Sequence, residues 1–253
     1  MHILLTNDDG LMADGLQTLY RELSKFAHVT VVAPDSERSS VGHGITLTRP
    51  LWVKKIKMPN GRFGYGITGT PADCVKLALG VILKKKPDWI ISGINQGPND
   101  GCSVFYSGTV AAAREGALMG IPSIALSVDS LLPVDFRPAA RISTHLIKTA
   151  MKLHLPPKTF LNINIPKGNA KKYRGIRVTR QGRDPIHGKF QRNRDPYDRE
   201  YYWMLAKAPI RKNDLTQDTY ALAKGYITIT PIHCDETKTG FLDELQSVQW
   251  PTF

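Results

Sequence analysis

The sequence predicts an α/β protein, a mostly parallel sheet flanked by helices, with a smaller C-terminal extension rich in β-hairpin. Three observations lead there. Short apolar runs bounded by turn residues alternate with longer amphipathic segments through the first 155 residues. Polar, loop-like sequence follows one strand after another, as the βα loops of such a sheet require. After residue 155 the alternation fades and basic, aperiodic sequence takes over. The chain therefore divides into an α/β core at 1–155 and an extension at 156–253 that completes the core and makes oligomer contacts.

Residues 2–6 read as a buried strand, and residues 16–26 as a helix with Leu16, Leu19, Leu23 and Phe26 on one face. A second strand covers 28–33 and ends at Pro34. A polar loop follows, and 46–57 is strand-like, with hairpin potential. Pro71 starts a helix, as proline does at a first turn, and Val75, Leu79 and Leu83 continue it. Residues 89–95 form a third buried strand, and a glycine-rich loop runs to Gly108. A small-residue helix at 109–120 ends in glycine. A strand at 123–128 and a helix at 139–153 close the core. Beyond it, 160–165, 175–179 and 226–232 read as strands, 219–224 as a short helix and 201–207 as half a hairpin. No period is visible between 181 and 200.

With 253 residues and 42% hydrophobic content, the chain can build one sizeable core plus an extension. No apolar run approaches the roughly 20 residues that span a bilayer. The N-terminus also lacks a charged-then-apolar leader pattern, so no membrane partner and a cytoplasmic location are expected. Cys74, Cys102 and Cys234 form no paired motif, which suggests reduced thiols, with Cys74 in the core. The net charge of +12 is uneven. Residues 1–130 carry +2, and the segment 167–212, with 14 basic and 4 acidic side chains, carries +10. Such a segment attracts phosphate-bearing partners unless it is simply a solvated face.

The chemistry concentrates in loops that follow strands. Asp8 and Asp9 stand at the end of the first strand. Adjacent carboxylates repel each other, and a hard divalent cation with oxygen ligands relieves that repulsion. A solvated Asp-Gly turn is the plain alternative. Ser36, Ser39 and Ser40 follow the second strand, and Asn95 ends the third. Each taken alone is an ordinary turn or capping residue, but in a doubly wound sheet all these loops gather at one edge. Ser107, Gly108 and Thr109 open a helix whose free N–H groups suit phosphate, or they form a simple N-cap. No GxxxxGK[ST] motif is present, and no GxGxxG follows the first strand, which argues against a P-loop or dinucleotide site.

The motifs NDDG at 7–10, APDSERSSVGHGITL at 33–47, GTPADCVKLAL at 69–79, SGINQGPNDG at 92–101 and YSGTVAAAREGALMGIPSIALS at 106–127 strongly resemble the SurE survival-protein family. QDTYALAKGYITITPIH at 217–233 extends the resemblance over nearly the whole chain. The resemblance implies a Rossmann-like core and a C-terminal extension that exchanges elements in a dimer. It also implies a metal-dependent phosphatase acting on nucleoside 5′- and 3′-monophosphates. Its metal ligands fall on Asp8, Asp9, Ser39 and Asn95, and its phosphate contacts on Ser107, Gly108 and Thr109.

The expected cofactor is a divalent cation, Mg²⁺ or Mn²⁺, that activates a bound water, with Asp8 or Asp9 as general base. The expected substrates are nucleoside monophosphates, with short oligonucleotides or polyphosphate as further candidates. His43 and His233 are candidates for donating a proton to the leaving group, although a structural role is commoner for such histidines. The expected assembly is a homodimer or homotetramer, because the aromatic stretch at 201–203 would pack against a partner subunit. Two rivals stand beside this reading. One is a covalent aspartyl-phosphate on Asp8, disfavoured because Gly10 stands where a second carboxylate is usual. The other is a non-enzymatic nucleic-acid-binding protein that uses the basic segment, with Tyr197, Tyr201, Tyr202 and Trp203 stacking on bases.

Overall fold

The computed structural model describes residues 1–252 apart from 60, 133, 169–171 and 208–212, so parts of the basic segment lie outside the described residues. The apolar runs become strands buried on both faces. In chain order the elements are β1 (His2–Thr6), α1 (Asp14–Leu23), β2 (His28–Pro34), β3 (Val53–Lys57), β4 (Phe63–Ile67), α2 (Pro71–Leu77), β5 (Trp89–Gln96), α3 (Gly108–Leu118), β6 (Ser123–Val128), α4 (Phe136–Ala150), β7 (Thr159–Ile165), β8 (Ile176–Val178), β9 (His187–Arg194), β10 (Glu200–Lys207), α5 (Asp218–Ala223), β11 (Ile227–His233) and α6 (Leu242–Ser247).

Nine strands form one sheet in the order β3-β4-β2-β1-β5-β6-β7-β11-β8. The six from β4 to β7 run parallel, while β3 and β11 each run antiparallel to their inner neighbour. Strands β7, β11 and β8 lie beyond residue 155 in sequence yet complete the same sheet. The chain moves outward from β1 through β2 to β4, then returns to the other side of β1 to form β5. The switch point, where such sheets bind ligands, therefore lies between β1 and β5.

Side-chain alternation along β1 sorts the core into two layers. Ile3 and Leu5 pack with Leu16, Leu19 and Leu23 of α1 and Ala140 and Ile147 of α4. Leu4 faces the other way, toward Cys74, Val75 and Ala112 of α2 and α3. Cys74 is fully buried, and burial drives its thiol well above its usual range, so it is a core residue rather than a nucleophile.

Several boundaries differ from the sequence reading. The strand expected over 46–57 starts only at Val53, because Thr46 is held by Asp73 instead of by a sheet partner. After Leu77 the α2 helix widens into a π-helical turn at Ala78–Ile82. The aperiodic stretch 181–200 contains a full strand, β9, paired antiparallel with β10. Exposure on both faces removes the alternation that would have marked it. Among the described residues no helix is long and apolar enough to cross a membrane.

Candidate active site at the switch point

Strand β1 delivers Asn7, Asp8 and Asp9 to the sheet edge. The turn is built locally: Asn7 Nδ2 donates to the Gly10 carbonyl at 3.0 Å, and the Leu11 amide donates to the Pro34 carbonyl at 2.8 Å. The Arg38 amide donates to the Asp8 carbonyl at 2.8 Å and draws the loop after β2 over the first loop. Asp8 is 4% exposed.

The start of α3 closes on this carboxylate. Thr109 Oγ1 donates to Asp8 Oδ1, and the Thr109 backbone amide reaches the same carboxylate. A Cβ on Gly108 would lie 2.8 Å from Asp8 Cβ, nearer than real Cβ contacts come, so only glycine lets the helix approach this closely. Ser107 is the N-cap of α3, and its Oγ accepts from the Val110 amide at 3.1 Å, leaving its O–H available to a ligand.

Asn95 reaches the edge through a bulge. The pairing of β5 with β6 shifts register between Ser92 and Asn95. Gly93 makes the shift possible: its φ is +136°, and a Cβ there would meet the Leu126 carbonyl oxygen at 2.4 Å. Asn95 Nδ2 donates to the Gly97 carbonyl at 2.8 Å, which orients the amide and leaves Oδ1 uncommitted by that bond. Ser39 is exposed, and its hydroxyl donates to Glu37 Oε1 at 2.7 Å. Asp9, Ser39, Glu37 and Gln96 line one cavity of about 350 Å³.

Burial, followed by the charges of Asp8 and Glu37, pushes the Asp9 carboxyl up to about 7. Burial also raises Asp8, against the pull of its bonds to Thr109. These shifts express carboxylates crowded in a space that lacks positive charge, and a cation reverses that logic. No group of three or more His, Cys, Asp or Glu side chains suited to a metal occurs among the described residues. A metal here would therefore use a mixed set of two carboxylates with hydroxyl, amide and water oxygens, which suits a hard cation. Glu37 belongs to this electrostatic cluster although the sequence reading passed it over. Its place in the serine-rich loop was the available signal.

The two candidate proton donors separate. His43 Nε2 lies 2.9 Å from Glu115 Oε2, and Lys76 Nζ lies 2.7 Å from Glu115 Oε1. Burial alone would raise the Glu115 carboxyl, but these two partners outweigh it and hold it below its usual range. His43 thus fastens the loop carrying Ser39 to α3. His233 pairs with Thr159, the first residue of β7, at the opposite end of the strands from Asp8. The structure does not bring it to this edge.

Two further motifs turn out to be supports. Asp73 completes a capping box with Thr70 and also accepts from the Thr46 amide and hydroxyl, which ties the loop after β2 to α2. Asp218, fully buried, accepts from the amides of Gly101 and Gly182 and so joins the glycine-rich loop to the base of the β9–β10 hairpin.

The fold and the site together define a Rossmann-like α/β protein with its acidic loops gathered at the sheet's switch point. The profile described as Survival protein SurE matches residues 3–187, and the chain belongs to this family. It is 46% identical to 5′-nucleotidase SurE of Syntrophobacter fumaroxidans, covering 97% of this chain and 98% of that protein. It is 48% identical to the protein of the same name from Desulfitobacterium hafniense, covering 97% and 96%. The SurE protein of Aquifex aeolicus has a similar crystal structure, with a TM-score of 0.85 at 38% identity over 97% of this chain and 98% of that one.

Proposed function

We propose that this protein is a phosphoric monoester hydrolase of the 5′-nucleotidase type, dependent on a divalent cation, that releases phosphate from nucleoside 5′- and 3′-monophosphates. The observation that carries the reading is the closure of the α3 N-terminus on Asp8, since a helix N-terminus suits phosphate and here it adjoins a buried carboxylate. The relatives named 5′-nucleotidase support the same chemistry.

Asp8, Asp9, Ser39 and Asn95 would hold Mg²⁺ or Mn²⁺, directly or through water. Bound there, the cation supplies Lewis acidity and lowers the pKa of a coordinated water. The rest of the work belongs to the chain. The Ser107 hydroxyl and the Gly108 amide steady phosphoryl oxygens as negative charge moves toward the leaving group. Thr109 acts through Asp8, donating to one carboxylate oxygen and orienting the other. Asp9, beside Asp8 at the end of β1, would accept the proton of the attacking water as general base. His233 lies at the opposite end of the strands from Asp8, and His43 is engaged by Glu115.

The oligomer reading rests on the hairpin. Phe190, Tyr202 and Trp203 are 69%, 56% and 62% exposed on a two-stranded ribbon, a structure that is marginal in water alone. A homodimer or homotetramer that covers these side chains explains their chemistry. The hairpin's cations are partly neutralised within it, since Arg192 and Arg194 pair with Glu200 and Arg199 with Asp195. That leaves less free charge for a nucleic-acid-binding role.

The deciding experiment is a phosphate-release panel over 5′- and 3′-AMP, short oligonucleotides and polyphosphate, with Mg²⁺, with Mn²⁺ and with chelator. Metal-dependent release from AMP is the expected result. Equal release in chelator would remove the metal from the reading, and no release from any nucleotide would remove the activity.

A further inference from the structure

A second concave site lies at the other end of the strands, where the parallel sheet begins. His2 opens β1, His28 opens β2 and Phe63 opens β4, and all three line a cavity of about 900 Å³. Four cations converge on it from separate parts of the chain: Lys55 from β3, Arg62 from the turn before β4, and Lys84 and Lys85 from the loop before β5. No carboxylate is among its lining residues. Asp88 stands beside it, with Oδ2 accepting from the His2 backbone amide at 2.7 Å. The low overall charge of the first 130 residues conceals this local excess, because the acidic side chains of that half gather largely at the opposite edge.

A run of lysines on a convex surface spreads into solvent. Here the cations share a concavity with aromatic walls, which concentrates their potential. Lys55 Nζ sits 4.9 Å from the centre of the Phe63 ring, a cation–π contact that keeps the ammonium at the wall. The His2 and His28 rings lie 4.7 Å apart, and Tyr20 and Tyr65 add flat surface. The volume exceeds what a lone phosphate fills and falls in the range of small-molecule sites, about 300–1,000 Å³. Rings grouped in one hollow, rather than strung along a track, fit one base and not a strand of nucleic acid.

We propose that this groove is a non-catalytic binding site for a nucleoside polyphosphate, with its phosphates on Lys55, Arg62, Lys84 and Lys85 and its base against Phe63 and Tyr65. The site is separate from the proposed catalytic edge and does not depend on it.

The test is photolabelling of the full chain, in Mg²⁺, with 8-azido-ADP, followed by peptide mapping. Label is expected in peptides covering 53–65 and 84–89, displaced by unlabelled ADP. It should fall by at least about tenfold in Lys84→Glu/Lys85→Glu, because two charge-assisted contacts become repulsive. Lys55→Glu, in an exposed strand, provides an independent second variant. Hydrolysis of p-nitrophenyl phosphate should stay near the wild-type rate in both. Label confined to peptides around 105–110 would overturn the proposal, as would groove label unchanged in both variants. Displacement by single-stranded RNA but not by ADP would also overturn it and reassign the groove to nucleic acid. Absence of hydrolysis in the wild type with groove label intact would count against the catalytic reading alone.

Discussion

The switch-point edge and the β9–β10 hairpin are built on opposite principles. At the edge, polar side chains are tied to neighbours from other parts of the chain or of their own loop: Asp8 to Thr109, Asn95 to Gly97, His43 to Glu115. The scaffold under it is apolar on both sides of the sheet. The hairpin has regular backbone pairing but no core, and its large side chains point to solvent. Its side-chain bonds are mostly surface ion pairs, which solvent screens. The difference teaches that regular secondary structure and organised chemistry are separable. The proposed chemistry belongs to the edge, and the proposed subunit contact belongs to the hairpin.

The largest effect expected from breaking this contrast lies at Asp9. Asp9→Asn removes a carboxylate that is destabilised by burial and by its neighbours Asp8 and Glu37. Turnover should fall by orders of magnitude, roughly a hundredfold or more, while the fold survives. Thermal melts sharpen the point. Wild type should gain Tm on adding Mg²⁺, because a ligand bound to the native state stabilises it, and the variant should gain little. An unchanged metal response in Asp9→Asn would remove Asp9 from the cation site.

Next comes the close approach of α3. Gly108→Ala places a Cβ 2.8 Å from Asp8 Cβ and should cost about 1–3 kcal/mol of stability, with activity falling alongside. Ser107→Ala leaves the backbone in place. It should lower activity about ten- to a hundredfold, the value of a hydrogen bond to a charged group, without changing metal affinity measured by calorimetry. Weakened metal binding in Ser107→Ala would instead make the serine part of the cation site.

Asp73 tests the supporting layer. Burial alone would raise its carboxyl, but bonds from Thr46 and Thr70 outweigh burial and hold it below its ordinary value of 3.8. A carboxyl depressed in the folded state contributes stability above the unfolded value and loses it as pH falls through the folded one. Asp73→Asn should therefore cost about 2 kcal/mol at pH 7, and the gap to wild type should close below pH 3.8 in denaturant titrations. A gap that stays constant with pH would mean the carboxylate charge is irrelevant there.

The smallest catalytic effect belongs to the hairpin. Deleting 184–200 should leave hydrolysis of a small synthetic ester and the core Tm close to wild type, while self-association measured by sedimentation weakens. A deletion variant that assembles as before would make the hairpin a free solvated ribbon.

Much of the edge was legible from residues alone because its elements are local. An apolar run ending in Asp8 and Asp9, Ser107-Gly108-Thr109 before small residues, and Asn95 after a buried run each announce themselves within a few positions. The hairpin was half legible: β10 carries aromatic residues, but β9 reads as polar loop because neither of its faces is buried. Glu37 and Asp218 were harder to see, since each gains meaning only from partners elsewhere, Glu37 from Asp8 and Asp9, and Asp218 from Gly101 and Gly182.

The sequence by itself determined the alternation of strands and helices, the two-sided burial of β1, β5 and β6, and the residue types gathered for the site. These follow from periodicity and turn chemistry, which act over neighbouring residues. Tertiary structure alone decided that Thr109 bonds Asp8 and that His43 secures a loop to Glu115. It also placed His233 at the opposite end of the strands from Asp8, and it brought Lys55, Lys84 and Lys85 to one groove. Such facts depend on strand order, register and the hand of each crossover, which juxtapose residues tens of positions apart. Local composition carries no record of that distance.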